Sequence, residues 1–499
     1  MISRNVVAGL CRTLLTFTSI MLMTCVVSAI TCVYSHKFSQ LPIIGETAAI
    51  LLPIVAMLYV LSRVLGEYSI TGYVDAVYVV VLTWIISAII ATTPFLLSGI
   101  PFINALFECV SGLTGTGLTV MKNISKLPIL LKLWRAVLQW VGEIGIVVFF
   151  IVFLAKPGSP ITYLYLAEGR ERIEITVWRT TKVMVRIYLL YTAICTLLYF
   201  ISGIDIFNSI CMAMTTIATG GFTNFNVPLL KIISHIRFPI LFYISCILMM
   251  ILGAINFRDH ARLFTGRFRE ALSTELKAFL VVAGVISILT VLSYIYTDKT
   301  PILQSIYLGI FHAISALTTT GFQLTSLKNV SNITKLILII AMVIGGCTCS
   351  TAGGIKIFRL VALFKIIGWN ISEIVKPPGT LIRRTIGGLK LDDKDINRIL
   401  SFVLLYIFIL FVSALIVTSC GYSFINALFE CASALGCVGL SVGITSWSTP
   451  TVCKIVLIID MLSGRLEIIP WLTIISMAIS RLRLERKKLK TTLAEKLAE

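Results

Sequence analysis

A chain of 499 residues ordinarily divides into several soluble domains, but here 58% of residues are hydrophobic, only 13% are charged, and the mean hydropathy is +0.98. A water-facing surface needs charge at about a quarter of its positions, so this composition excludes a soluble protein and requires lipid as the solvent. The 42 basic against 23 acidic residues, a net +19, would suggest nucleic acid on a soluble chain; with no aromatic-studded basic module they read instead as the Lys and Arg bias of cytoplasmic loops.

Apolar runs predict ten spanning helices, at about 13–34, 44–65, 74–96, 129–154, 182–203, 237–257, 277–297, 334–364, 396–419 and 452–479. Each comes close to the roughly 20 residues that cross a bilayer as helix. The first follows Arg4 and Arg12 and is longer than the apolar core of a signal peptide, so it reads as a retained anchor. Between spans lie segments that are helical in pattern but too short to cross, at about 102–113, 205–217, 304–317 and 424–435. Each precedes a run of Gly, Thr and other small residues and reads as a re-entrant half-helix. Segments 155–183, 258–277, 359–398 and 481–499 together hold 25 Lys and Arg, whereas the opposite loops hold eight Lys. The first set is therefore predicted to be cytoplasmic, along with both termini, and the half-helices to enter from outside. Thirteen cysteines, Cys347 and Cys349 among them, lie mostly in apolar runs and read as reduced structural thiols.

The chain repeats itself. Ile103–Cys109 and Ile425–Cys431 both read INALFEC, and over 18 positions 12 are identical at an offset of 322. Weaker copies stand at offsets of 104 and 204, and one glycine holds the same register in all four: Gly117, Gly221, Gly321 and Gly439. The unit is span, half-helix, glycine loop, span, with two crossings, so the copies are parallel rather than inverted. The expected fold is an all-α polytopic membrane protein: four parallel helix–pore-helix–filter–helix repeats around a pore, plus two leading transmembrane helices. The boundaries fall at 1–70 for the leading helices, then 71–160, 161–260 and 261–365 for repeats one to three. The fourth repeat takes 366–499 with a cytoplasmic linker and a basic tail.

Four such loops around an axis suit a cation. Irregular backbone at membrane depth must line protein or a water-filled path. Its carbonyls can then replace an ion's hydration shell, and glycine permits the positive φ that aligning them requires. Half-helix C-termini aimed at the centre add partial negative charge. The candidate cation-lining residues are Thr114, Gly115, Thr116 and Gly117; Ala218, Thr219, Gly220 and Gly221; Thr318, Thr319, Thr320 and Gly321; Gly436, Cys437, Val438 and Gly439.

In Phe311–Phe322, Ile344–Lys356, Gly464–Ile468, Gln139-Trp140 and Asn256-Phe257 the sequence resembles the TrkH/KtrB/HKT superfamily of potassium transporters, and within it the membrane subunits of bacterial Trk systems. The resemblance spans nearly the whole chain. It implies potassium uptake across the bacterial inner membrane, potassium as the only metal, a homodimer among lipids, and a cytosolic TrkA-type nucleotide-binding regulatory subunit. Nucleotide would sit on that partner, since this chain has no G-x-G-x-x-G, and no cofactor or nucleic acid is expected on the chain itself. Four register glycines resemble the potassium-selective members; some plant relatives with serine in the first repeat favour sodium. Two departures stand out: Ala352 in a motif that usually reads S-T-G-G-G, and Glu143 where Gly is common.

The resemblance also makes the glycine-rich break in repeat three an intramembrane gating loop, with Gly345, Gly346, Thr348, Ser350, Thr351, Gly353, Gly354 and Lys356 as its residues. Four glycines there would cost a continuous helix about 1 kcal/mol each relative to alanine. Arg465 and Glu467 either form a buried pair or place Arg465 near the inner pore, where its charge limits cation flux. Glu108 and Glu430 occupy matching half-helix positions, as anchors or as sources of negative potential. The basic segments 258–277 and 366–394 offer a docking surface for the regulatory subunit or for lipid headgroups. A regulated cation channel that is not an uptake system is the alternative function. An enzyme is disfavoured because no H-E-x-x-H, G-x-S-x-G or P-loop occurs.

Overall fold

The computed structural model describes residues 3–66, 72–145, 177–226, 228–377, 380, 382–468, 470–477 and 479–480. Two long helices lead, α1 (Arg4–Tyr34) and α2 (Leu41–Val64). Then come α3 (Tyr73–Ala91), the short α4 (Phe102–Leu113) and α5 (Ile129–Ile144). The pattern recurs as α6 (Val177–Ser202), short α7 (Ile206–Ile217) and α8 (Pro239–Ala254), then as α9 (Thr274–Tyr296), short α10 (Ile302–Leu317) and α11 (Asn332–Ile344). After α12 (Ile357–Val375) it recurs once more as α13 (Asp393–Ser419), short α14 (Phe424–Leu435) and α15 (Thr451–Arg465).

The short helices are bounded by their own residues. Pro101 and Pro301 precede α4 and α10, where a missing N–H costs nothing, and the Asp205 carboxylate accepts the Asn208 N–H at the start of α7. At the other end each chain turns into left-handed backbone within two or three residues. Being apolar almost all round, these helices are buried on most faces.

Among the described residues six helices are long and apolar enough to cross a membrane, and the pair Pro239–Ala254 and Phe257–Phe264, bent by 106°, would make a seventh. The other three of the ten predicted spans are not continuous helices there. The span at 129–154 reaches Ile144 and turns at Gly145 (φ 100°), its remainder lying outside the described residues. The span at 334–364 is broken between Ile344 and Ile357, and that at 452–479 stops at Arg465 before helical backbone resumes at Ile468. Glycines and three other left-handed residues, Cys349 (φ 53°), Lys356 (φ 79°) and Glu467 (φ 55°), make these breaks, which hydropathy alone does not register.

Two buried lysines join one unit to the next. Lys335 on α11 donates to Asn426 Oδ1 (2.9 Å) at the start of α14, and Lys454 on α15 donates to Asn104 Oδ1 (2.8 Å) at the start of α4. Each ammonium also bonds the carbonyl seven residues earlier, Lys328 or Trp447. An ammonium at this depth is tolerable only when its donors are taken up in this way. Between α12 and α13 a small hairpin pairs β1 (Thr385–Ile386) with β2 (Leu389–Lys390) through Gly387 and Gly388, both at positive φ as a two-residue turn demands.

Candidate functional site

The four loops after the short helices share one backbone. The residue two before the register glycine and the glycine itself both take positive φ: Gly115 (69°) and Gly117 (82°), Thr219 (47°) and Gly221 (74°), Thr319 (56°) and Gly321 (80°), Cys437 (52°) and Gly439 (96°). Interleaving left-handed residues lets successive carbonyls face one side, which a regular strand cannot do. Thr219, Thr319 and Cys437 hold that conformation at a cost of about 1–2 kcal/mol each, which glycine avoids.

The loops form a closed cycle. A Cβ on Gly117 would lie 2.0 Å from the Gly220 carbonyl oxygen, and one on Gly221 would lie 2.0 Å from that of Thr320. One on Gly321 would lie 1.9 Å from the Val438 oxygen, and one on Gly439 2.2 Å from the Thr116 oxygen. Each glycine thus abuts the carbonyl of the next loop, from first to fourth and back to first. No side chain fits at these positions. All four glycines line one cavity of about 750 Å³, shared with Lys122, Arg135, Asn226, Gln323 and Trp447. The sixteen predicted residues, Thr114–Gly117, Ala218–Gly221, Thr318–Gly321 and Gly436–Gly439, are these loops. Two of the threonine hydroxyls, Thr114 and Thr318, turn back to the helix carbonyls of Val110 and Ile314 and bond Thr116 and Thr320.

In three loops the short helix itself supplies the acceptor for a backbone N–H. Glu108, His312 and Glu430 share a register, and each accepts the backbone N–H twelve residues on: Val120 (3.2 Å), Leu324 (3.1 Å) and Val442 (3.1 Å). Because His312 accepts at Nε2, its proton sits on Nδ1, 2.9 Å from the Tyr294 hydroxyl. Glu430 also takes the Ser441 hydroxyl (2.7 Å) and both the N–H and the hydroxyl of Thr445; Glu108 takes the Thr119 hydroxyl (2.9 Å) and Arg135 Nε (2.7 Å). Of the two roles open to these carboxylates, the geometry gives them the anchoring one; neither lines the cavity. A serine near the helix end adds a second tie. Ser111 and Ser315 donate to the carbonyls of Leu118 and Phe322, and Ser433 accepts the Gly439 N–H.

The second loop is held differently. Its short helix has Met212 in the anchoring register, which offers no oxygen or nitrogen acceptor. Gln139 of α5 takes the part instead: its Oε1 accepts the Phe222 N–H (3.1 Å) and its Nε2 donates to the Gly220 carbonyl. Arg135 Nη1 donates to the Thr223 carbonyl (2.9 Å). A Cβ on Gly220 would lie 2.5 Å from Gln139 Cδ, so that glycine makes room for the glutamine. In the sequence Gln139 stands out only as part of a family-like segment. Met212 at the position of Glu108 was the available signal that something else must hold this loop.

Under the other end of the loops lies the break between α11 and α12. The segment 345–356 is a compact turn with Gly345, Cys349, Gly354 and Lys356 at positive φ. It is stitched to the end of α8 by Cys347 N to Ala254 O (2.9 Å) and Thr351 N to Gly253 O, and closed on itself by Ile355 N to Val343 O and Lys356 N to Ile344 O. It touches three loops of the cycle. The Thr219 hydroxyl donates to Thr351 Oγ1 (3.1 Å), Gly353 N donates to Thr319 Oγ1 (2.8 Å), and a Cβ on Gly353 would lie 2.2 Å from the Gly436 carbonyl oxygen. Of the other predicted gating residues, Gly345, Gly346 and Gly354 pack within the segment, Ser350 bonds the Cys347 carbonyl, and Thr348 is farther out. There Glu275, at the start of α9, accepts Thr348 N (2.6 Å), Thr348 Oγ1 (2.8 Å) and Phe358 N (3.2 Å). Nothing in the sequence singled out Glu275, which is 73 residues from its partner.

Arg465 and Glu467 do not pair with each other. Glu467 bonds Arg359 (2.8 Å), while Arg465 Nη2 donates to the Gly142 (2.7 Å) and Glu143 (2.9 Å) carbonyls and lies 3.8 Å from the Glu143 carboxylate. The helix ends between them and Glu467 is left-handed, so the two side chains diverge; carbonyls at the end of α5 attract the cation. Asp460 accepts the Ser413 hydroxyl (2.7 Å). All thirteen cysteines are free, and no cluster of three or more His, Cys, Asp or Glu able to hold a metal occurs among the described residues.

The family model described as "TrkH: Cation transport protein" matches residues 49–483. An uncharacterized cation transporter of Methanocaldococcus jannaschii is 34% identical over 418 residues, covering 81% of this chain and 83% of that one. The Trk system potassium uptake protein TrkH of Escherichia coli K12 is 29% identical over 404 residues, covering 78% and 82%. The crystal structure of the potassium transporter TrkH from Vibrio parahaemolyticus superposes with a TM-score of 0.81 at 24% identity, covering 94% of this chain and 98% of that one, and so shares its fold.

Proposed function

Because this chain belongs to the TrkH family of cation transport proteins, we propose that it is the membrane subunit of a Trk-type potassium uptake system and that potassium passes through the cycle of four glycine loops. The observation that carries this is the closure of the cycle: four register glycines, each against the next loop's carbonyl, open together onto one cavity. Backbone carbonyls so placed supply the oxygen cage that replaces an ion's water. A closed ring also fixes the cage's width better than separate loops would, since no loop moves without its neighbours.

On this view Thr114–Gly117, Ala218–Gly221, Thr318–Gly321 and Gly436–Gly439 are the filter. The segment 345–356 obstructs the path beneath it and swings aside on opening, with Thr351 and Gly353 releasing Thr219 and Thr319. Arg465 adds a positive charge near the inner end that limits cation occupancy. Positive-inside asymmetry supports a cytoplasmic location for both termini. The chain works as a homodimer among lipids, with a cytosolic TrkA-type subunit bearing the nucleotide. A unit charge gains about 2.3 kcal/mol per 100 mV, so membrane potential alone can drive accumulation without a coupled proton.

The test is the reversal potential of the purified protein in liposomes under opposed potassium and sodium gradients. A potential near that of potassium is expected; an anion preference overturns the proposal. Equal potassium and sodium permeability would point to a non-selective cation channel.

A further inference from the structure

The first loop of the cycle lacks what the other three have. In the second, third and fourth loops the left-handed residue two before the glycine carries a side chain, and each is engaged: Thr219 with Thr351, Thr319 with Gly353 N, and the Cys437 thiol with the Met461 carbonyl (3.6 Å). In the first loop that residue is Gly115. A Cβ there would lie 1.8 Å from Glu143 Oε1 and 2.6 Å from Glu143 Cδ and Cγ. The carboxylate of Glu143, 2% exposed, therefore fills the place that a threonine or cysteine side chain takes in the other loops. It brings a charge where the others bring a hydroxyl or a thiol.

Glu143 lies in the last turn of α5, where helix carbonyls make a carboxylate unfavourable on its own. Arg465 offsets this. Its Nη2 donates to the last carbonyls of that helix and stands 3.8 Å from the carboxylate, and both charges lie within electrostatic reach of Cys437, in the filter position of the fourth loop. The guanidinium and carboxylate thus form one unit beside the inner end of the first and fourth loops.

We propose that Glu143 is the charge-balancing residue of this pore: its carboxylate, standing in the side-chain place left by Gly115, offsets the positive charge of Arg465, so that a departing cation meets an ion pair rather than a bare guanidinium. The proposal rests on the transport function proposed above. Glu143 acts through Arg465 and through the local potential and is a positioning residue for the ion path, not a ligand of the ion.

The experiment is potassium flux into proteoliposomes containing the full-length chain, for wild type, Glu143→Gln, Glu143→Asp, Arg465→Gln and the Glu143→Gln/Arg465→Gln double variant. Glu143→Gln keeps the shape and removes the charge, and is expected to lower flux about tenfold. Glu143→Asp should retain most of the flux. In the Arg465→Gln background, adding Glu143→Gln should change flux less than twofold, because the charge it balances is gone. Unchanged flux in Glu143→Gln overturns the proposal, as does an equal loss in both backgrounds, which would mark a purely structural side chain. If Glu143→Gln is not recovered as folded protein, the double variant is compared with Arg465→Gln alone: equal flux supports the proposal and a further loss overturns it. Wild-type liposomes that pass no potassium would instead defeat the transport function itself.

Discussion

The second and fourth glycine loops have the same backbone and different supports. The fourth hangs from its own short helix, with Glu430 gathering donors from Ser441, Val442 and Thr445 and Ser433 holding the Gly439 N–H. The second has Met212 in that register; Asn224 bonds Asn208 of its own helix, but the Phe222 N–H and the Gly220 and Thr223 carbonyls are held from outside by Gln139 and Arg135 of α5. The requirement is thus on the loop, not on the tie. Wherever a buried N–H would be orphaned some acceptor is supplied, but it need not come from the same repeat.

The difference can be put under strain. The largest effect is expected at the junction of the third and fourth loops, which has no latitude: Gly321→Ala sets a Cβ 1.9 Å from the Val438 carbonyl oxygen at a φ of 80°, and potassium flux in liposomes should fall about a hundredfold while the protein stays monodisperse. Next, Glu430→Leu leaves several buried donors without an acceptor and should destabilise the detergent-solubilised protein by about 3 kcal/mol or more, read as a lower thermal midpoint. Gln139→Leu orphans the Phe222 N–H and should cost less, about 1–3 kcal/mol, but it loosens the second loop and should lower the potassium-to-sodium permeability ratio. Adding Met212→Glu to Gln139→Leu should recover part of that ratio if the second loop accepts the fourth loop's kind of anchor; no recovery would show the two supports are not interchangeable. Ser433→Ala should cost about 1 kcal/mol. Smallest of all, Thr351→Val removes the hydroxyl that ties the segment 345–356 to Thr219 and to the Ile217 and Gly253 carbonyls, and basal flux should rise by roughly threefold.

Local pattern was legible in the sequence, and long-range pairing was not. The short helices end at Leu113, Ile217, Leu317 and Leu435, where the apolar period gives way to Thr and Gly, and the sequence places their ends at those residues. The shared register of the four glycines was visible because repetition is a property of the string itself. The break after Ile344 followed from four glycines in ten residues. Closeness in sequence makes an Arg465–Glu467 pair one of two readings, yet the contacts of Arg465 are more than 300 residues away on α5. Glu275, Gln139 and the Lys454–Asn104 bond belong to the same class. Each joins elements whose approach depends on how the units are arranged, and no periodicity encodes that. Positive φ at Thr219, Thr319 and Cys437 was hidden for a different reason: those residue types seldom adopt it, and only the surrounding cycle makes it worthwhile.

Every junction in the cycle joins two unlike surfaces, the glycine side of one loop and the carbonyl side of its neighbour. Such head-to-tail junctions are satisfied only when the last meets the first. A fragment carrying two adjacent loops would keep one junction and expose two mismatched, complementary ends, so its natural outcome is to join a second fragment and restore the circle. One continuous polypeptide guarantees that four distinct quarters, one of them with a carboxylate at Glu143, take their places once each and in a fixed order. A four-fold symmetric assembly of identical subunits could not achieve that asymmetry.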